Sequence, residues 1–314
     1  MKLNKIQDLY EYVISHIDEF KKQEYVGRGG QGAVYKYCNK KMCIAVKKSY
    51  LDNEESEFIK TPYSKNALKE GHFIEMAVSK LMNQIILQNI SPHFVLSFMN
   101  DYKERDGICN EKYPYAGYHY IQYIDNSITW DKWVSKKHPI EHWYNAYFQI
   151  MVGLYAMNKY FNMKHLDLHP ENILVQKIQP KGYWEYIINN EHYHVPNLGF
   201  RIYIIDYGHA WVPHVFESWF IRSRYKSNRV KRSFDINKLF NITKSYSQSP
   251  KEFKEDIKQL IKRLKYDSFS KILLFFKKYY SNNRYKKKLD TFTIGKKLIT
   301  TSIPRQLKKT VVKF

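Results

Sequence analysis

Cysteine is scarce in this 314-residue chain: Cys38, Cys43 and Cys109 are its only three. An odd number at those spacings matches neither a zinc-ligand pattern nor a disulfide framework, so reduced thiols are expected, as in an intracellular protein. Long apolar runs are missing too. No window approaches the ~18 continuous apolar residues that a membrane span needs, and Met1-Lys2-Leu3-Asn4-Lys5 opens without an export-signal run. These absences predict a soluble protein with no transmembrane segment. Acidic residues are sparse only toward the end. Residues 221–314 hold 27 Lys/Arg against 6 Asp/Glu, a net +21, whereas residues 1–220 hold 25 against 24. The basic C-terminal region is therefore expected to meet an acidic protein, nucleic acid or an anionic surface, with a solvated basic face equally compatible. With 44% hydrophobic residues the chain has enough apolar material for a real core.

Periodicity divides the chain. Residues 7–20 carry Leu9, Tyr10, Val13, Ile14 and Ile17 at helical spacing, which predicts a short helix. Strand, glycine turn and strand follow over Tyr25–Tyr37, and Met42–Ser49 continues as a strand, so a small antiparallel sheet is expected. Residues 50–66 read as a polar loop. Residues 67–89 place Leu68, Phe73, Met76, Ala77, Leu81 and Ile85 on one helical face, with Glu75 among them, and Ser91-Pro92 ends that helix. Val95–Met99 and Tyr118–Ile124 read as strands, Thr129–Ser135 as a short helix, and Ile140–Phe161 as a long buried one. Ile173–Ile178 and Ile202–Ile205 read as short strands, and the pair Asn189-Asn190, which tolerates positive φ, predicts a hairpin between them. From Phe234 onward helical patterns dominate, and the last thirty or so residues are basic and weakly periodic.

The central motif is His165-Leu166-Asp167-Leu168-His169-Pro170-Glu171-Asn172 before the apolar run Ile173-Leu174-Val175. An Asp and an Asn five residues apart, in a loop between helix and strand, aim a proton acceptor and a metal-binding amide at one point. Asp167 is the candidate catalytic residue; Asn172 and Asp206, the latter in Ile204-Ile205-Asp206-Tyr207-Gly208, are the candidate metal ligands. Upstream, Val26-Gly27-Arg28-Gly29-Gly30-Gln31-Gly32-Ala33-Val34 fits G-x-G-x-x-G-x-V, whose backbone N–H groups cradle phosphates. An ordinary glycine hairpin has the same local pattern. The strand after the glycines excludes a dinucleotide-binding turn, and the lack of Gly-Lys-Ser/Thr excludes a Walker-A loop. Lys47 stands in the apolar strand Ile44-Ala45-Val46-Lys47, where an unpaired ammonium is costly, so a carboxylate partner is expected. Glu75 has the better apolar setting for that role, with Glu70 as the alternative. His165 reads as a hydrogen-bonding residue beneath the loop, and His169 as a contact of either the transferred phosphate or the loop.

At these residues, from about Tyr25 to about Leu264, the sequence resembles the eukaryotic-type protein kinase family. The glycine loop, Lys47, Glu75, the loop His165–Asn172 and the triplet Asp206–Gly208 look like its successive motifs, and Asp235 looks like its buried aspartate beneath the catalytic loop. The resemblance implies an α+β, two-lobed protein-kinase-like fold: an N-terminal helical extension (1–20), a small antiparallel-sheet lobe (21–125), a larger mainly helical lobe (126–264) and a basic region completing or extending it (265–314). It implies ATP as the phosphoryl donor, with adenine against the backbone around Gln122 and Ile124, Mg²⁺ or Mn²⁺ as the metal, and a Ser or Thr hydroxyl of a protein substrate as acceptor. Leu166 stands where the family has Arg, His169 where it has Lys, Tyr207 where it has Phe, and no A-P-E follows. His-x-Asp-x-His is also seen in haspin-like kinases and in aminoglycoside and choline phosphotransferases, which leaves a small-molecule acceptor open, as it leaves an inactive scaffold binding nucleic acid or an acidic partner. Lacking the Arg at Leu166, activity is expected not to depend on phosphorylation of Ser218, Ser223, Ser227 or Ser233, although Arg222, Arg224 and Arg229 are potential local phosphate receptors. The hairpin insertion ending Val195-Pro196-Asn197 is similar to divergent serine/threonine kinases of large cytoplasmic DNA viruses, which implies a cytoplasmic or virion-associated location.

Overall fold

The computed structural model describes residues 6–29, 32–105, 112–212, 215–216, 234–245, 248–264, 273–282, 285 and 287–299. Strands β1 (Lys21–Gly29), β2 (Gly32–Cys38), β3 (Cys43–Leu51), β4 (Ser97–Glu104) and β5 (Tyr115–Gln122) form one antiparallel sheet in the order β1-β2-β3-β5-β4. β3 lies at its centre, which is why its apolar run Ile44-Ala45-Val46 is buried, and why burying Lys47 beside that run demands a partner. Helix α1 (Ile6–Ser15) packs on the edge through Tyr12 and Val13. Asp52 caps the four-residue helix α2 (Asn53–Ser56) in a reciprocal pair with Glu55, so the segment expected to be a plain polar loop begins with a capped turn.

Helix α3 (Gly71–Leu87) starts later than the spacing predicted because a separate 3₁₀ turn holds Ala67–Lys69. It is buried along nearly its whole length, and two of its buried polar residues, Glu75 and Asn83, are paired across to the sheet. Asn83 Oδ1 accepts from Ser97 N at 2.9 Å, and its Nδ2 donates to Ser97 O at 2.6 Å, fixing α3 to the start of β4.

The expectation of three free thiols is corrected here: Cys38 and Cys43 form a disulfide. They end β2 and begin β3, and the hairpin register sets them directly opposite one another with Cα atoms 4.0 Å apart. Four residues of turn, 39–42, suffice for that. Cys109 lies outside the described residues.

Beyond β5 the chain runs through β6 (Ser127–Thr129), α4 (Trp130–Val134) and α5 (Ile140–Phe161), then β7 (Ile173–Lys177), β8 (Tyr183–Ile188), β9 (Glu191–Pro196) and β10 (Phe200–Ile204). α6 (Phe234–Ser245), α7 (Lys251–Leu264), the short α8 (Lys277–Tyr280) and β11 (Lys288–Ile294) follow. α5 is the spine. Sixteen of its 22 residues are buried, and Asn162 closes it in the left-handed conformation at φ 48°. Gly153 lets β10 approach, since a Cβ there would stand 2.9 Å from Ile204 Cδ1.

β10-β7-β6 form one three-stranded sheet, and β11-β8-β9 a second in which β11 runs parallel to β8. The architecture is thus α+β, and among the described residues beyond 126 the helices outweigh the strands. Asn189 and Asn190 turn the β8–β9 hairpin at φ 51° and 66°. β11 was not anticipated. Its inward pair Phe292 and Ile294 alternates with Thr291 and Thr293, a strand pattern obscured by the surrounding lysines. Among the described residues no helix is long and apolar enough to cross a membrane.

His93 ties these layers together. Its ring lies 2.9 Å from the Ile202 carbonyl through Nδ1 and 3.0 Å from the Tyr186 hydroxyl through Nε2. A carbonyl only accepts, so Nδ1 carries the proton and Nε2 accepts from Tyr186. Burial, reinforced by Arg201 and opposed by the Ile202 hydrogen bond, lowers the His93 pKa from 6.5 to about 3. The folded value is depressed, so the unfolded chain takes up a proton below pH 6.5 that the folded chain refuses. The stability advantage of wild type over His93→Gln is therefore expected to shrink by about 1.4 kcal/mol per pH unit as pH falls from 6.5 toward 5. Urea unfolding of both proteins at pH 7.5 and pH 5 measures it, and a gap independent of pH would contradict the neutral, buried ring.

Candidate active site

β1 and β2 bring the glycines over the central strand. Gly27 pairs with Val34, Arg28 with Ala33 and Gly29 with Gly32, while Gly30 and Gln31 lie outside the described residues. Gly32 has φ 153°, and a Cβ on it would meet the Lys48 carbonyl oxygen at 2.1 Å, so this close approach of loop to β3 requires glycine. Val26 is half exposed. Val34 opposes Lys47 across the β2–β3 ladder.

Lys47 is 7% exposed, and its Nζ lies 2.7 Å from Glu75 Oε2 and 3.3 Å from Asp206 Oδ1. Glu75, itself buried on α3, is the residue that meets it, whereas Glu70 sits ahead of the helix. Lys48 faces away, with its ammonium over the rings of Tyr50 and Tyr118. Burial opposes the charge on Lys47, but Glu75 and Asp206 more than restore it, and its pKa rises above the usual lysine value. Burial raises the Glu75 carboxyl against the pull of Lys47. For Asp206 burial is outweighed chiefly by Lys47, with the Gly208 N–H adding to it, and its carboxyl falls below the usual range.

The loop after α5 is held from beneath. His165 N and Leu166 N donate to the two oxygens of buried Asp235 at 2.9 and 2.8 Å, an anchor that starts α6. The His165 ring donates from Nε2 to Ile205 O at 3.0 Å and accepts at Nδ1 from Asp167 N at 3.3 Å, which fixes its neutral tautomer. Leu166 is buried, at φ 58°. Asn172 Nδ2 donates to Asp167 O at 2.9 Å, and Ile205 N donates to Asn172 O at 3.0 Å, so this loop and the strand leading to Asp206 are one hydrogen-bonded unit. Asp206 itself has φ 63°, and Tyr207 next to it turns inward to donate to Ile204 O at 2.6 Å.

The Asp167 side chain is 31% exposed and has two basic side chains beside it: Lys238 Nζ at 3.0 Å from Oδ1 and His169 Nε2 at 3.5 Å from Oδ2. Lys238, from α6, is a site residue that the sequence reading missed. At the strand exit, Gln122 N donates to Leu96 O at 2.8 Å, and its side chain accepts from Leu96 N at 3.3 Å. Ile124 packs with Val95 and Tyr203, against which Ile121, Leu174 and Ile205 also lie, and its carbonyl accepts from Ser127 Oγ at 2.8 Å. Ser218, Ser223, Ser227, Ser233, Arg222, Arg224 and Arg229 lie outside the described residues, as do residues 300–314 of the basic region.

Among the described residues no cluster of three or more His, Cys, Asp or Glu could hold a metal ion. One carboxylate, Asp206, and one amide oxygen, Asn172 Oδ1, instead fit a hard cation that takes its remaining ligands from phosphates and water. Donation from Nδ2 to the loop carbonyl leaves Oδ1 as the accepting end of Asn172.

No protein-family model matches the chain. Over 66 residues, 20% of its length, it is 33% identical to the "Putative serine/threonine-protein kinase 019R" of Frog virus 3 (isolate Goorha), 8% of which is covered. Over 60 residues, 19% of its length, it is 32% identical to the "Uncharacterized protein 011L" of Invertebrate iridescent virus 3, again covering 8% of that protein. Over 199 residues, 58% of its length, it is 22% identical to the "Probable serine/threonine-protein kinase 380R" of Invertebrate iridescent virus 6, covering 35% of it. The chain thus spans about a third or less of each relative. These partial similarities support a distant kinase-like relationship.

Proposed function

We propose that the chain transfers the γ-phosphoryl group of ATP to Ser or Thr hydroxyls of a protein, in a two-lobed kinase-like fold with residues 21–125 as the small lobe and 126–264 as the large one. The observation that carries this reading is the convergence of Lys47, Glu75 and Asp206 within 3.3 Å, in one hydrogen-bonded unit with the Asp167–Asn172 loop. Two relatives named as serine/threonine-protein kinases support the choice of reaction.

The backbone N–H groups of the glycine loop would cradle the phosphates, and Lys47 would meet their α and β oxygens. Asn172 Oδ1 and Asp206 would hold Mg²⁺ or Mn²⁺, which supplies charge neutralisation between the β and γ phosphates when bound. Asp167 takes the proton of the attacking hydroxyl as its oxygen bonds to the γ-phosphorus and the bond to the β-phosphate oxygen breaks.

A small-molecule acceptor is the second reading, favoured by Leu166 and His169 in place of Arg and Lys. Incubating purified protein with labelled ATP and, separately, a mixed protein pool and a mixed small-molecule pool decides between them. Label in protein only is expected. Label in neither pool leaves the inactive scaffold, whose partner the basic C-terminal region would recruit; binding of the full chain to an acidic protein, nucleic acid or anionic vesicles should then weaken steeply with salt.

A further inference from the structure

A carboxylate that accepts a proton beside a transferring phosphoryl group has to be oriented there, and the charge gathering on the phosphoryl oxygens has to be met by fixed positive charge. Lys47 is committed to Glu75 and Asp206. Within the loop the residue two positions after Asp167 is His169, an imidazole where a permanent cation would serve better. The nearer cation comes from another element: Lys238 Nζ is 3.0 Å from Asp167 Oδ1.

We propose that Lys238 is a catalytic residue, delivering from α6 the fixed positive charge that binds the γ-phosphoryl group beside Asp167. This rests on the phosphoryl-transfer reading above. Placement follows from the anchor. Asp235 clamps the first turn of α6 to the loop through His165 N and Leu166 N, and a residue three positions on projects from the same helix face. Lys238 is that residue, so the clamp that positions the loop also aims the ammonium at it.

Exposure argues that the contact serves chemistry rather than stability. The two side chains are 32% and 31% exposed, and an ion pair so open to water contributes little to stability. The same opening lets a γ-phosphoryl group reach both. In the transfer the acceptor oxygen bonds to phosphorus, the electron pair of the breaking bond leaves on ADP, and the hydroxyl proton passes to Asp167. Lys238 exchanges no proton in this step; it holds one γ-oxygen and keeps Asp167 Oδ1 in place.

The test uses the full chain as wild type, Lys238→Met, Lys238→Arg, His169→Ala and Asp167→Asn. ATP hydrolysis and transfer to a degenerate Ser/Thr peptide pool are measured beside ATP affinity and the thermal midpoint. Lys238→Met is expected to lower kcat by about 10²–10³-fold while ATP affinity changes by less than about threefold, Lys238→Arg to recover most of the loss, and His169→Ala to cost less than about tenfold. A Lys238→Met enzyme within about threefold of wild-type kcat overturns the proposal, and so does a loss of kcat that runs parallel to loss of nucleotide binding or thermal midpoint. If Asp167→Asn is inactive while Lys238→Met is not, Lys238 alone falls. If wild type turns over ATP no faster than Asp167→Asn with water or peptide, the phosphoryl-transfer reading falls and takes this proposal with it.

Discussion

Asp167→Asn is expected to lower phosphoryl transfer by about 10²–10⁴-fold while leaving ATP affinity nearly unchanged. The asparagine keeps the shape of the side chain and removes its capacity to accept a proton. Its loop should stay in place, because the contacts that hold it run through the backbone: Asp167 N to His165 Nδ1, Asn172 Nδ2 to Asp167 O, and His169 N to Asp167 O at 2.9 Å. None of them uses the carboxylate. Asp206→Asn should behave differently, since its carboxylate faces Lys47 at 3.3 Å and is a proposed metal ligand. ATP affinity in the presence of Mg²⁺ should fall there, whereas affinity measured in EDTA should change little. Single-turnover rates together with equilibrium nucleotide binding separate the two variants. Near-native turnover by Asp167→Asn would remove the general base from the mechanism.

The sequence was most legible where local chemistry and tertiary environment agree. α5 runs over the residues its apolar pattern marks, and the Asn189-Asn190 turn forms because asparagine tolerates the φ that the hairpin needs. The choice of Glu75 over Glu70 followed from its apolar neighbours, and the contact with Lys47 comes from the face those neighbours bury. Local reading failed where strand pairing and helix docking decide. Cys38 and Cys43 looked like free thiols because spacing alone does not show register, and the hairpin sets them opposite each other. β11 is a strand because the edge of β8 receives it, although its own segment is crowded with lysine. Lys238 follows Asp167 by 71 positions, and no spacing rule joins them; only the docking of α6 does.

That docking makes Asp235 the position where one substitution reaches furthest. Its two oxygens accept from His165 N and Leu166 N at 2.9 and 2.8 Å, and the residue is 6% exposed, so water cannot replace the carboxylate without entry into the core. Asp235→Ala leaves two buried N–H groups unsatisfied at about 1–3 kcal/mol each, a total of about 2–6 kcal/mol. Leu166 adds to the effect, because its φ of 58° is held against its own preference and the Asp235 contact is one of its restraints. Once released, the loop no longer presents Asp167, and α6 no longer aims Lys238. Stability and kcat should therefore fall together in Asp235→Ala, unlike Asp167→Asn, which loses kcat alone. Asp235→Asn separates the contributions further: its Oδ1 still accepts one N–H, but its Nδ2 is a donor set against the other. A stability intermediate between wild type and Asp235→Ala is expected in urea unfolding, with turnover closer to that of Asp235→Ala. If instead Asp235→Ala keeps wild-type stability and turnover, the loop is not held from below by this carboxylate.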